Sequence, residues 1–145
     1  MQRRRVLSAL ASVGILSLAP RALADVAPGP PPPRLEVRAE PATFQGAPTE
    51  VLLVVSNPHA EAVQIQGVRL LITDAGMRFP LHVTRLEVDG QGSGAYDPIM
   101  IAPSGSRRFR ILFNQVPPSA LRSRTITFQL LLGGTSENTF TLRRA

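Results

Sequence analysis

Residues 107–113 (RRFRILF) and 124–132 (RTITFQLLL) alternate apolar and polar side chains along the chain. Successive side chains of a β-strand point to opposite faces, so one face of the first segment carries Phe109, Ile111 and Phe113. The second segment repeats the pattern at its own apolar positions: Ile126, Phe128, Leu130 and Leu132. The alternation predicts two strands that are each buried on one side and together supply much of one core.

Short apolar segments continue from residue 34 onward, separated by turn signals such as Asp89-Gly90 and Pro103-Ser104-Gly105. They predict strands at residues 35–38, 49–56, 62–73, 78–88, 98–102, 107–113, 124–132 and 138–142. No segment after residue 34 shows the apolar period of a helix. We therefore expect an all-β fold, an immunoglobulin-like antiparallel β-sandwich of about 7–8 strands.

Two segments need separate interpretations. Residues 51–55 (VLLVV) are apolar at every position, which predicts a strand that is central in its sheet or covered by another element. Residues 90–94 (GQGSG) do not match the Gly-x-Ser-x-Gly nucleophile pattern. They also lack a following helix that would present its N-terminus to a phosphate. We interpret residues 90–94 as a flexible loop.

The beginning of the chain resembles an export signal. Residues 1–24 combine three arginines, an apolar stretch and the small-residue ending Ala22-Leu23-Ala24. The apolar stretch is shorter than the roughly 20 residues of a membrane span. We expect a cleavable signal at 1–24, a Pro-rich linker at 25–33, and a sandwich domain at 34–145 with no membrane span after cleavage. Twin-arginine export and general secretion both fit, and either makes the protein periplasmic or secreted.

Cysteine is absent from the sequence, which excludes disulfide bonds, so the core alone must stabilise the domain. The net charge of +6 at pH 7 includes four arginines of the predicted signal, and residues 25–145 hold 12 arginines against 10 acids. This balance argues against a nucleic-acid partner. The charges are unevenly distributed, because residues 101–145 contain seven arginines and the single acid Glu137.

Catalytic and metal sites find little support in the sequence. The two histidines, His59 and His82, limit a serine triad, so we expect no enzymatic activity and no catalytic residues. Histidine and methionine side chains suit copper, and the sequence offers His59, His82, Met77 and Met100. They do not form a tight array, so our expectation is no metal and no cofactor. Periplasmic copper delivery or an enzyme accessory role is the alternative function.

Three segments carry a resemblance to a known group of domains: residues 40–72 (from EPATF to VRLLI), residues 101–113 (IAPSGSRRFRILF) and residues 124–132. The chain resembles the bacterial PapD-like and MSP/ASH immunoglobulin-type domains. The matching residues are Pro41, Asn57, Pro103, Gly105 and Phe113. Asn57-Pro58 is similar to an element of the late-embryogenesis-abundant water-stress sandwiches. Both resemblances imply a β-sandwich, and the PapD-like one adds partner binding by an exposed strand edge.

Arginines provide the candidate binding residues. Arg108 and Arg110 share one face of their predicted strand, and Arg122 and Arg124 precede the next, while Arg143-Arg144 lie near the end of the sequence. If the strands pair in sequence order, these side chains converge on one patch that suits carboxylate or phosphate groups. The resulting hypothesis is a noncatalytic exported binding or assembly module. Its partner would be an envelope protein or an anionic envelope component, and its oligomeric state is open. Separate solubilising charges are the alternative interpretation.

Overall fold

A computed structural model describes residues 30–145. The predicted signal at 1–24 and most of the predicted linker lie outside the described residues. The strands are β1 (Glu36–Ala39), β2 (Thr43–Phe44), β3 (Glu50–Ser56), β4 (Val63–Gln66), β5 (Val68–Asp74), β6 (Met77–Leu81), β7 (Val83–Val88), β8 (Gln91–Ser93), β9 (Pro98–Ile101), β10 (Ser106–Phe113), β11 (Thr125–Leu132) and β12 (Asn138–Arg144). One 3₁₀ turn lies at Ala120–Arg122. In the described part of the chain, no helix is long and apolar enough to cross a membrane.

The strands form two five-stranded sheets. The first sheet has the order β1-β3-β10-β7-β8 and the second has the order β2-β12-β11-β5-β6. β4 and β9 make a separate antiparallel ladder. Neighbouring strands within the two large sheets are antiparallel, except for the parallel pair β12 and β2. The predicted all-β, sandwich-like antiparallel fold is confirmed, with more strands than expected.

The core lies between the inward faces of these strands. Phe109, Ile111 and Phe113 of β10 are buried, as are the four predicted apolar positions of β11. Phe128 stacks on Phe140 of β12 at 5.0 Å between ring centroids and contacts Phe113 of the first sheet at 6.1 Å. The contact between Phe113 and Phe128 joins the two sheets, and the buried faces of β10 and β11 supply part of the core, as the alternation in the sequence predicted.

Two of the predicted strands are each divided into two. The strand expected at 62–73 is interrupted at Gly67, where φ is +98°, and its halves pair with different partners, β9 and β11. The strand expected at 78–88 is interrupted at His82. Its first half pairs with β5 in the second sheet and its second half pairs with β10 in the first. Each interruption therefore marks a point where the chain passes from one sheet to another.

Two strands were not predicted. β2 has two residues, too short to produce an alternating pattern. β8 lies within residues 90–94, which we had expected to be a flexible loop. Instead, β8 pairs with β7 in an antiparallel hairpin. The expectation for residues 51–55 is confirmed, because β3 is an interior strand of the first sheet, flanked by β1 and β10.

Candidate anion-binding site

Three arginines meet where β11 begins and β12 ends. The backbone N–H of Arg144 donates to the carbonyl oxygen of Arg124 at 2.7 Å, so these two residues are neighbours across the strand pair. Arg143 lies directly opposite Thr125 in the same ladder. Arg124, Arg143 and Arg144 are all exposed and, with Thr125 and Ala145, line a surface groove of about 490 Å³. We call Arg124, Arg143 and Arg144 the arginine cluster.

Local contacts hold one member of the arginine cluster in position. The guanidinium carbon of Arg144 lies 5.0 Å from the centre of the Phe44 ring, in cation–π contact. Its Nη2 also donates to the carbonyl oxygen of Ser123 at 3.2 Å. Phe44 belongs to β2, which pairs with the end of β12. The shortest strand of the second sheet therefore orients a guanidinium at the groove.

No acidic side chain neutralises the arginine cluster within residues 30–145. No carboxylate in this range lies within 4.0 Å of a guanidinium nitrogen of Arg124, Arg143 or Arg144. Like charges placed opposite each other across a strand pair repel and destabilise the pair. An anion in the groove would relieve this repulsion, and guanidinium groups can bind carboxylate or phosphate through two parallel hydrogen bonds.

Arg108 and Arg110, the other predicted pair, are in different surroundings. They are exposed on the outer face of the first sheet, as predicted. Arg110 lies 2.7 Å from Glu50 and 3.3 Å from Glu87, and Arg108 lies 3.6 Å from Glu40. The hydrogen bond to Glu50 raises the pKa of Arg110 above its ordinary value. Both arginines form ion pairs with glutamates, so less of their positive charge is available to bind a ligand.

The outer face of the first sheet is neutral as a whole. The charged side chains that alternation places there are Glu36, Arg38, Glu40, Glu50, Arg85, Glu87, Arg108 and Arg110. Among them, Leu52 and Val54 form the floor of a groove of about 270 Å³. Leu52 is 38% exposed. This face therefore has an apolar centre and balanced charges.

The expected convergence of the arginines is wrong. It required β10 and β11 to pair, but β10 pairs with β3 and β7, whereas β11 pairs with β12 and β5. Arg108 and Arg110 consequently lie on the first sheet, and Arg124 lies at the end of the second. Arg122 belongs to the 3₁₀ turn before β11 and does not line the groove of the arginine cluster. The chain crosses between layers after β10, and local sequence carries no signal of that crossing.

Asp89 organises the hairpin between β7 and β8. Asp89 and Gly90 have φ of +51° and +84°, as required at the two central positions of a type I′ turn. The Asp89 carboxylate accepts from the backbone N–H of Arg108 at 2.9 Å and also contacts the guanidinium of Arg107. The backbone hydrogen bond is the main cause that lowers the pKa of Asp89 below its ordinary value of 3.8, and Arg107 adds to the effect.

Replacing Asp89 tests how much the negative charge of its carboxylate contributes to the stability of the fold. A carboxylate with a lowered pKa stabilises the fold above its ordinary pKa, and the contribution is lost as the pH falls through the folded-state pKa. Asp89→Asn keeps an acceptor oxygen and the turn preference but removes the charge. Because the side chain is well exposed, we expect a loss of less than about 1 kcal/mol in the free energy of unfolding at pH 7. Denaturation from pH 7 to 2.5 should show this difference shrinking below pH 3.8, and a constant difference would contradict the assignment.

The candidate copper ligands are dispersed. Met77 lies in β6 and Met100 in β9, and both side chains are exposed. His59 Nε2 lies 2.9 Å from the carbonyl oxygen of Arg34, and His82 lies between β6 and β7, where the strand predicted at 78–88 is interrupted. Among residues 30–145, no three His, Asp or Glu side chains are grouped to hold a metal ion.

No protein-family model and no curated protein sequence matches the chain. Among solved structures, the chain is similar to Pseudomonas fluorescens alkylpurine DNA glycosylase AlkC bound to DNA containing an abasic site analog, at 10% sequence identity and a TM-score of 0.36. The match covers 77% of this chain and 31% of that chain. A TM-score this low carries no conclusion. The resemblance to PapD-like and MSP/ASH domains stays a prediction.

Proposed function

We propose that the protein is a noncatalytic exported binding module that holds an anionic partner of the cell envelope at the arginine cluster. The observation that carries this proposal is the contrast between two sets of arginines. Arg108 and Arg110 are paired with glutamates, whereas Arg124, Arg143 and Arg144 share a groove and have no acid within 4.0 Å among the described residues. Unpaired guanidinium groups are the ones available to a carboxylate or phosphate.

Binding by an exposed strand edge has less support. The edge strands of the two large sheets are β1, β8, β2 and β6. The first three contain four, three and two residues. β6 contains Pro80, which has no backbone N–H to donate to an added strand. Short strands and proline at sheet edges are features that discourage pairing with another chain.

Two double variants with the same loss of charge test the proposal. Arg124→Gln/Arg143→Gln removes two members of the arginine cluster, and Arg108→Gln/Arg110→Gln removes two paired arginines. Binding of the purified protein to polyglutamate and to polygalacturonate would be measured by calorimetry at 150 mM salt. We expect the first variant to weaken binding by about tenfold or more, equivalent to about 1.4 kcal/mol. The second variant should change affinity less than about twofold, because its arginines are already neutralised by glutamates.

The matched variants separate a site from a general charge effect. Equal losses in the two variants would show attraction by net charge alone and contradict the proposal. A loss confined to Arg108→Gln/Arg110→Gln would place the site on the first sheet instead. Absence of binding to both polyanions would also contradict it. Circular dichroism of each variant would confirm that the sheets remain folded.

A further inference from the structure

Threonines form a regular array on the outer face of the second sheet, next to the arginine cluster. Two cross-strand rows follow from the strand register. The first row is Thr43, Arg143 and Thr125, and the second is Thr141, Thr127 and Thr73. We call the five threonines the threonine strip. Arg143 lies inside the first row, so this member of the arginine cluster is continuous with the threonine strip.

The hydroxyl groups of the threonine strip are available to a ligand. Thr43, Thr125 and Thr141 are exposed, and Thr73 and Thr127 are half-buried. Within residues 30–145, none of the five side chains makes a hydrogen bond to the protein. Each hydroxyl can both donate and accept. The strip therefore presents hydrogen-bonding groups of both kinds on a rigid sheet.

The spacing of the threonine strip suits an extended ligand. Neighbouring strands lie about 4.8 Å apart, and every second residue of a strand lies about 6.8 Å further along, distances on the scale of a sugar ring. The second row ends at Arg78, the cross-strand partner of Thr73, which donates to Gln129 of the next row at 2.6 Å and pairs with Glu137 at 2.9 Å. The surface thus has a charged end at the arginine cluster and a hydroxyl-lined middle, which the paired Arg78 bounds on the β6 side.

We infer that the anionic partner is an acidic polysaccharide whose carboxylates bind the arginine cluster and whose hydroxyls bind the threonine strip. This inference rests on the proposed function and names the ligand class for the same site. Sugar hydroxyls donate and accept as threonine hydroxyls do, so the two surfaces are complementary. An acidic polypeptide matches the arginine cluster but supplies few hydroxyls for the strip, and extended peptides bind chiefly through free strand edges or apolar grooves.

The test compares two ligands that share carboxylate charge and differ in hydroxyl content. Polygalacturonate and polyglutamate of similar length would be titrated against the full protein and against Thr127→Val/Thr141→Val. Valine has nearly the shape of threonine and fits a strand, so the variant removes only hydroxyls. We expect the variant to lose about fivefold in affinity for polygalacturonate, from two hydrogen bonds, with no change for polyglutamate. Thr84→Val, at an exposed position of β7 in the first sheet, is the control and should leave both affinities unchanged.

The outcomes distinguish this inference from the proposed function. If both polymers bind through the arginine cluster but Thr127→Val/Thr141→Val weakens neither, the polysaccharide assignment is overturned and the anion site stands. Binding of polyglutamate alone would identify an acidic polypeptide as the partner and overturn the assignment in the same way. If neither polymer binds, both the assignment and the proposed function fall.

Discussion

Gly133→Ala should cost more than about 4 kcal/mol in the free energy of unfolding, or prevent folding altogether. A Cβ at Gly133 would overlap the backbone carbonyl oxygen of Gln66, which cannot move aside as a flexible side chain would. The backbone N–H of Gln66 donates to the Gly133 carbonyl oxygen at 3.0 Å, and the Gly133 N–H donates to Gly67 at 2.9 Å. The added methyl group therefore disrupts the hydrogen bonds between Gly133, just after β11, and residues 66–67, where the chain passes from β4 to β5.

The cause of this effect is close packing rather than backbone conformation. Gly92 provides the matched control, because a Cβ there meets nothing within 4 Å. Gly92→Ala should change stability by less than about 1 kcal/mol. Chemical denaturation of both variants would measure the difference. Equal stabilities would show that the backbone at Gly133 adapts and that the contact with Gln66 is not essential.

The strands that alternate strictly could be predicted from the sequence. In β10 and β11, one face is buried, so every second residue must be apolar and the alternation is visible in the sequence. The interruption at Gly67 is also visible in the sequence, as a change in the phase of the apolar positions. Buried residues occupy odd positions before it, Val63 and Ile65, and even positions after it, Val68 and Leu70. This change of phase is the signal that would have divided the strand expected at 62–73.

The candidate site was predictable only in part. Arg124 was among the predicted residues, but its neighbour Arg144 depends on the pairing of β11 with β12. The neutralisation of Arg110 depends on Glu50, which lies 60 residues away along the chain. Ion pairs of this kind are set by which strands become neighbours. Alternation within one strand shows which face an arginine occupies and says nothing about the acid beside it.

The second large effect is expected at Asn57, the one buried polar residue among residues 30–145. Asn57 is 1% exposed and lies just after β3. Its Nδ2 donates to the carbonyl oxygen of Glu61 at 2.8 Å and lies 3.2 Å from the carbonyl oxygens of Ile101 and Ala102. Its Oδ1 accepts from the backbone N–H of His59 at 2.9 Å. One amide group thus ties the loop after β3 to the end of β9.

Asn57→Ala should lose about 3 kcal/mol, because it leaves buried backbone groups without hydrogen-bond partners. Asn114, which follows β10 in the same way, is exposed, and Asn114→Ala should lose less than about 0.5 kcal/mol. Denaturation midpoints of the two variants would measure the contrast. If Asn57→Ala were no more harmful than Asn114→Ala, water would be replacing the amide and the loop would not depend on it.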